Sequence, residues 1–236
     1  MTAAHQARRL GNALYKFGFP VYRPLYRVFK SYADRAERQL LRRLLANGSI
    51  VIDAGANIGV YSQFLSACVG PAGVVHSFEP DPLNCERLRT ALSGFSNIRI
   101  NKLAVSDQTG DSLLYVSDDL NVDHRAYPSP DEDRRTVSIE TTRLDDYVAD
   151  KGRVDLLKLD IQGYELHALR GAQRVLADNP AIKILFEFWP YGLAQAGTRS
   201  EELVSYLQEQ GFILKEISSD GLGPIPSVPG HEDRDW

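Results

Sequence analysis

The nine residues Val51-Ile52-Asp53-Ala54-Gly55-Ala56-Asn57-Ile58-Gly59 constrain this chain more than any other stretch. The apolar run Ile50-Val51-Ile52 reads as a strand, an acid and two glycines follow, and Val60-Tyr61, Phe64-Leu65 and Val69 then recur at helical spacing. Strand, tight turn and helix in that order build a ligand site at the carboxyl end of a parallel sheet. Gly55 permits a turn with positive φ, and Gly59 removes a side chain where the helix is expected to lie close to the strand. A dinucleotide site would show G-x-G-x-x-G and a free helix N-terminus for the pyrophosphate. Here the spacing is G-x-x-x-G, and Asp53 would repel a diphosphate. The acid suits a ligand with an ammonium or sulfonium group, or it simply caps the following helix.

Val74-Val75-His76-Ser77-Phe78 is a second short strand, ending in Glu79-Pro80-Asp81-Pro82. Glu79 therefore stands at the carboxyl end of the neighbouring strand, where a carboxylate accepts the two hydroxyls of a ribose. Pro80 stiffens the backbone after it, and Pro82 starts a helix over Leu83–Leu92. The pattern continues with strand Ile98–Leu103, an antiparallel pair Leu113–Val116 and Thr136–Thr141, and a short helix Leu144–Val148. Strand Val154–Leu159, helix Tyr164–Ala177, strand Ile182–Phe188, helix Ser200–Gln210 and strand Phe212–Ile217 complete it. This predicts an α/β, doubly wound fold with a β-hairpin insertion, and an irregular tail from Asp220 where glycines and prolines gather.

Asp53 through Ser62, Phe78-Glu79-Pro80, Asn84, Ala104-Val105-Ser106-Asp107 with Gly110, and Asp155 through Gly163 occur in that order. Together they resemble the FkbM-type S-adenosylmethionine-dependent methyltransferases, from about Asn47 to about Gly211. The resemblance implies a Rossmann-like class I methyltransferase sheet, S-adenosylmethionine as cofactor, and O-methylation of a hydroxyl on a sugar, glycolipid or natural product. It places cofactor contacts at Asp53, Gly55, Ala56, Asn57, Gly59, Tyr61, Glu79, Pro80, Asn84, Ala104, Val105 and Asp160. Gln162 departs from the family, which often has glutamate there. Two other classes compete: a catalytically silent S-adenosylmethionine-binding protein, and a nicotinamide-dependent oxidoreductase, against which the missing third glycine argues.

With 236 residues, 43% hydrophobic and 25% charged, the chain can bury the core of one α/β domain. The expected division is a basic helical cap over 1–48, the methyltransferase domain over 49–219 and the tail over 220–236. Cys68 and Cys85 lie singly in two predicted helices, which excludes a disulfide framework or zinc site and points to a reducing cytoplasm. No apolar run is long enough to span a bilayer, and no signal-peptide pattern opens the sequence.

The net charge of −4 hides an asymmetry. Up to Gly48 there are ten Lys/Arg against Asp34 and Glu37, a balance of +8, so the remainder carries −12. Aromatics interleave the basic residues, a combination suited to an anionic lipid surface or an anionic substrate. Pro20 and Pro24 are expected to break the continuous helix that strong membrane binding needs, which favours a cap packed on the acidic domain and leaves only weak peripheral membrane contact. Nucleic acid is not an expected partner, because the acidic domain would repel phosphates.

The excursion Asp118–Pro128 lies between the paired strands and is placed to cover an acceptor. In it His124 is a candidate base for the acceptor hydroxyl, and Arg125 a candidate clamp for a substrate carboxylate or phosphate. Asp160 and Glu187 stand at the carboxyl ends of two further strands, where Asp160 contacts the methionine part of the cofactor or orients the acceptor and Glu187 lines its pocket. Such carboxylates also suit Mg²⁺, the less favoured option. Tyr164, Trp189 and Tyr191 are candidates for stacking on a sugar or apolar acceptor.

Overall fold

The computed structural model describes residues 11–117, 123–128, 134–149, 152–218 and 221–225. Its frame is a five-stranded parallel sheet in the order β3-β2-β1-β7-β8, built from β1 (Ile50–Ala54), β2 (Val74–Phe78), β3 (Ile98–Asn101), β7 (Leu156–Leu159) and β8 (Lys183–Phe186). Strands β1 to β3 step outward in one direction and β7 to β8 in the other, so the switch point falls between β1 and β7. Ligands of open α/β sheets bind in the crevice above that point.

Alternation along each strand sorts its side chains to the two faces of the sheet. Val51, Val75 and Leu156 join α3 (Arg35–Leu44), α4 (Val60–Val69) and α5 (Pro82–Ala91) in one apolar cluster. Ile52, Ala54, Phe78, Leu157 and Leu159 join α6 (Leu144–Val148), α7 (Glu165–Arg170), α8 (Gln173–Asp178) and α10 (Ser200–Glu209) in the other.

The doubly wound sheet matches expectation, while several boundaries do not. The continuous helix expected over Tyr164–Ala177 is two helices, α7 and α8, parted at Gly171. A Cβ on Gly171 would lie 2.0 Å from the Ser106 carbonyl oxygen, and the Gly171 carbonyl accepts the Asp145 amide at 2.9 Å. The chain turns there because another backbone already occupies the space. A short helix, α9 (Pro190–Gln195), follows β8 where none was anticipated.

Strand β9 (Lys215–Ser218) does not extend the main sheet. It pairs antiparallel with β10 (Gly221–Pro224), so the tail expected to be irregular from Asp220 contributes a strand. The expected antiparallel pair is present and longer than predicted, β5 (Gly110–Val116) with β6 (Arg135–Thr142), and β4 (Ala104–Val105) adds to β6 in parallel. Much of the excursion between β5 and β6 lies outside the described residues; Asp123–Pro128 are described, with Arg125 bridged to Tyr115.

Before the sheet come α1 (residues 11–17), α2 (Phe19–Ala33) and α3. The helix is broken at Gly18 and restarts with Pro20 in its first turn, as expected of that proline, while the expectation that Pro24 also breaks it is corrected: α2 runs through Pro24. Pro20 falls in the first turn, whose amides have no intrahelical partner, and α2 accepts Pro24 at the cost of one hydrogen bond. Tyr15 and Tyr22 pack on Ile58 and Val60, while the Arg23 guanidinium donates to Gln63 at 3.0 Å. The helix is thereby fastened to the loop after β1.

Gly171→Ala is expected to lower the unfolding free energy by about 1–3 kcal/mol in urea denaturation, with Gly94→Ala, where a Cβ meets nothing within 4 Å, as the unaffected control.

Candidate active site

One residue beyond each strand, the ladder continues by a single bond that sets the next residue on the rim. Gly55 and Ala56 donate to the Phe78 carbonyl at 3.1 and 2.9 Å, Glu79 to Asn101 at 3.1 Å, Asp160 to Ala54 at 3.1 Å and Glu187 to Leu159 at 3.1 Å. The rim therefore presents a glycine turn and three carboxylates around the switch point.

The first loop is as tight as its glycines suggested. Gly55 has φ +80, and a Cβ there would lie 1.9 Å from the Asp160 carbonyl oxygen. Gly59 also has φ +80 and forms the N-cap of α4, but its close neighbours are Leu88 and Leu92, at the end of α5, rather than the strand. Asn57 takes a left-handed conformation, φ 49, and its amide donates to Glu79 Oε2 at 2.8 Å while the Asp81 amide donates to Oε1 at 3.0 Å. Burial pushes the Glu79 carboxyl up to about 8 against those hydrogen bonds.

Asp53 differs from expectation. It is fully buried and does not line the cleft. It sits opposite Lys158 in the β1–β7 register, accepts from Ser62 at 2.7 Å and pairs with Lys158 Nζ at 3.3 Å. The cation it serves is therefore within the chain. Nor does it cap α4, whose N-cap is Gly59.

Lys158 is the residue that strand reading left out of the site. Its ammonium also lies 3.4 Å from Asp160 and 4.8 Å from the Tyr61 ring centroid. Burial lowers its pKa, but Asp160 and Asp53 outweigh that and hold it above the ordinary lysine range. A lysine in the buried run Leu156-Leu157-Lys158-Leu159 was the available signal, since a buried charge requires a partner.

The loop after β7 gathers the remaining polar groups. Gln162 is buried with φ 58, and its Nε2 donates to Glu187 at 3.0 Å and to Asp160 at 3.4 Å. Its Oε1 is buried with no hydrogen-bond partner among the described residues. Glu165 holds the loop from below by accepting the Ile161 and Gly163 amides, each at 3.2 Å, and Tyr127 holds it from the insertion by donating to the Gln162 carbonyl at 2.6 Å. Burial raises Glu165 to about 7, and burial with the neighbouring Asp160 raises Glu187 well above the ordinary carboxylate range. Asp160 and Glu187, the carboxylates considered for Mg²⁺, are bridged by the Gln162 amide, and no cluster of three or more metal-ligating side chains occurs among the described residues.

The cleft itself is lined by Gly55, Ala56, Asn57, Tyr61, Glu79, Pro80, Asn84, Ala104, Val105, His124, Asp160, Tyr164 and Glu187, all anticipated, together with Gln162, Lys158, and Tyr26 and Lys30 of α2. Gly59, Arg125 and Trp189 stand outside it. Arg125 is buried and bidentate to Asp123 at 2.7 and 3.0 Å, with its guanidinium 5.1 Å from the Trp189 ring. The pair ties the insertion to the segment after β8 rather than facing a substrate.

His124 lines the cleft with its Nδ1 accepting the Ser117 amide at 3.2 Å, which leaves the proton of the neutral ring on Nε2. Burial lowers its pKa, and the charges acting on it are Asp81, beyond β2, and Asp123, Arg134 and Arg135 of the insertion and the start of β6. Tyr164 stacks on His167 with ring centroids 4.1 Å apart.

A parallel sheet with this switch point, a glycine turn after β1 and a carboxylate after β2 is the arrangement of a Rossmann-like, nucleoside-binding sheet. The chain belongs to the FkbM methyltransferase family, whose domain matches residues 53–214. It is 27% identical to the 2-O-methyltransferase NoeI of Sinorhizobium fredii, over 63% of this chain and 67% of that one. It is 28% identical to the 31-O-demethyl-FK506 methyltransferase FkbM of Streptomyces tacrolimicus, over 59% and 64%. The matches thus span roughly two thirds of those relatives.

Among solved structures, the FkbM methyltransferase of Methylobacillus flagellatus KT matches with a TM-score of 0.49 and 21% identity, over 70% of this chain and 37% of that one. An S-adenosylmethionine-dependent O-methyltransferase of Thermotoga maritima matches with a TM-score of 0.45 and 15% identity, over 83% and 61%.

Glu79, Glu165 and Glu187 all bind protons more tightly folded than unfolded, so their contribution to stability is present at acid pH and lost as pH rises through their folded pKa values. The thermal midpoint of the ligand-free protein should fall between about pH 5 and about pH 9, and Glu187→Gln should flatten that slope in a pH-resolved thermal scan.

Proposed function

We propose that the chain methylates a hydroxyl oxygen of a small-molecule or glycan acceptor, and the observation that carries this is the Asp160 carboxylate, partly open to the cleft and held beside Glu187 by the Gln162 amide. A carboxylate on the rim of the cleft is placed to accept a hydrogen bond, and then the proton, from an acceptor hydroxyl. The names of the two curated relatives, both O-methyltransferases, support the same reaction.

The cleft fits S-adenosylmethionine by its chemistry. Phe78, Leu103, Ala104, Val105 and Leu114 give an apolar wall for a nucleoside base, Glu79 accepts ribose hydroxyls, and the acidic rim favours a ligand that carries sulfonium and ammonium charge. When bound, the cofactor supplies the electrophilic methyl group. The protein then aligns the acceptor, excludes water and takes one proton. Asp160, partly open to the cleft, receives the proton, and the Gln162 Nε2 group holds it beside Glu187. Lys158 Nζ lies 3.4 Å from Asp160 and helps fix its position. His124, holding its proton on Nε2, serves as a hydrogen-bond donor on the cofactor's ribose side rather than as the base first expected of it.

Calorimetric titration with S-adenosylmethionine, S-adenosylhomocysteine and NAD tests the cofactor: the first two should bind, and Gly55→Ala should abolish both. With an acceptor from a sugar and polyketide panel, Asp160→Asn should lower turnover by about two to four orders of magnitude with little change in S-adenosylhomocysteine affinity. A loss of affinity without that loss of turnover assigns Asp160 to the methionine part of the cofactor instead. His124→Gln should lower turnover far less than Asp160→Asn.

A further inference from the structure

Helix α2 has two different faces. Tyr26 and Lys30 line the cleft and Tyr22 packs on the loop after β1. On the opposite side Val21, Leu25, Val28 and Tyr32, spaced by four, three and four residues, form one continuous stripe. They are 57%, 58%, 65% and 80% exposed, with Phe29 beside them at 62% and Phe17 of α1 at 89%. Isolated exposed apolar residues are ordinary, but a whole unpartnered helix face is not. Lys16, Arg27 and Arg35 are exposed around it.

We propose that this face of α2 docks on an anionic lipid surface, with the helix lying in the plane of the interface. Three features of the chain favour that occupant. The stripe belongs to the segment that carries +8 in a chain whose remainder carries −12, so an anionic bilayer attracts this side and repels the rest, which fixes the orientation. A second copy meeting the same face two-fold would set one +8 segment against another, which opposes association. Finally, α2 is continuous through Pro24, so the stripe presents four turns of apolar side chains to one plane. Docked in this way, the α2 wall of the cleft lies at the membrane interface.

The test is sedimentation of the full chain with vesicles of phosphatidylcholine alone or mixed with phosphatidylglycerol, at low and high salt. The parent protein should bind only the mixed vesicles, and less at high salt. The variant Val21→Ser/Leu25→Ser/Val28→Ser, which touches no cleft residue, should bind them about tenfold more weakly or worse, with unchanged S-adenosylhomocysteine affinity and unfolding midpoint. A parent protein that stays in solution with both vesicles, or a variant that binds as well as the parent, overturns the proposal. So does light scattering that shows a dimer of the parent and a monomer of the variant, since the face then belongs to a second copy. Vesicle binding is read without the cofactor, so its failure and a failure of the methyltransferase reading are separate results.

Discussion

The structure depends on one buried ion pair. Asp53 and Lys158 face each other across β1 and β7, the two strands between which the sheet reverses its winding. Neither charge would be tolerated alone in the apolar cluster under α4, since removing one partner of a buried pair costs about 3–5 kcal/mol. Together they are held further by Ser62 of α4, which donates to Asp53, and by Ser77 of β2, which donates to Ser62 at 2.9 Å. The network thus joins three strands and a helix below the cleft. Through Lys158 it also reaches up to Asp160 on the rim, so the charge of the site rests on the core.

The same economy appears in the two loops that shape the cleft. Asn57 and Gln162 both adopt left-handed conformations that cost a non-glycine residue free energy. Each is stabilised by a glutamate that accepts backbone amides: Glu79 beneath the first loop and Glu165 beneath the second. Glu79 therefore has a structural role in addition to lining the cleft. Gly163 allows α9 to close on the second loop, since a Cβ there would lie 2.3 Å from the Gly192 backbone. The side of the cleft around Asp160 is assembled from β7, the residues just beyond β7 and β8, the insertion and α2, elements far apart in the chain.

Much of this was legible in the sequence because it depends on local pattern. The strand–turn–helix run at 50–69, the carboxylates one residue past their strands and the glycine at 55 follow from periodicity and backbone sterics, and most of the residues chosen from them line the cleft. What failed was direction and partnership. Asp53 was read as facing a ligand because its neighbours along the chain are a glycine loop; its true neighbour is a lysine 105 positions away. Arg125 was read as free to bind an anion, yet Asp123 and Trp189 engage it. His124 was read as a base, but a backbone amide from across its own hairpin decides which nitrogen carries the proton.

By itself the sequence determined the class of fold, the family, most of the residues that line the cleft and the charge separation between the first 48 residues and the rest. These are carried by local spacing and by residue counts, which do not depend on long-range packing. Only the tertiary structure decided that Lys158, Gln162, Tyr26 and Lys30 belong to the cleft, that the helix expected after β7 breaks at Gly171, and that α2 passes through Pro24 with an apolar face outward. Each of those outcomes is set by which distant segment occupies the adjacent space or supplies the opposite charge, and the linear order of residues does not encode that directly.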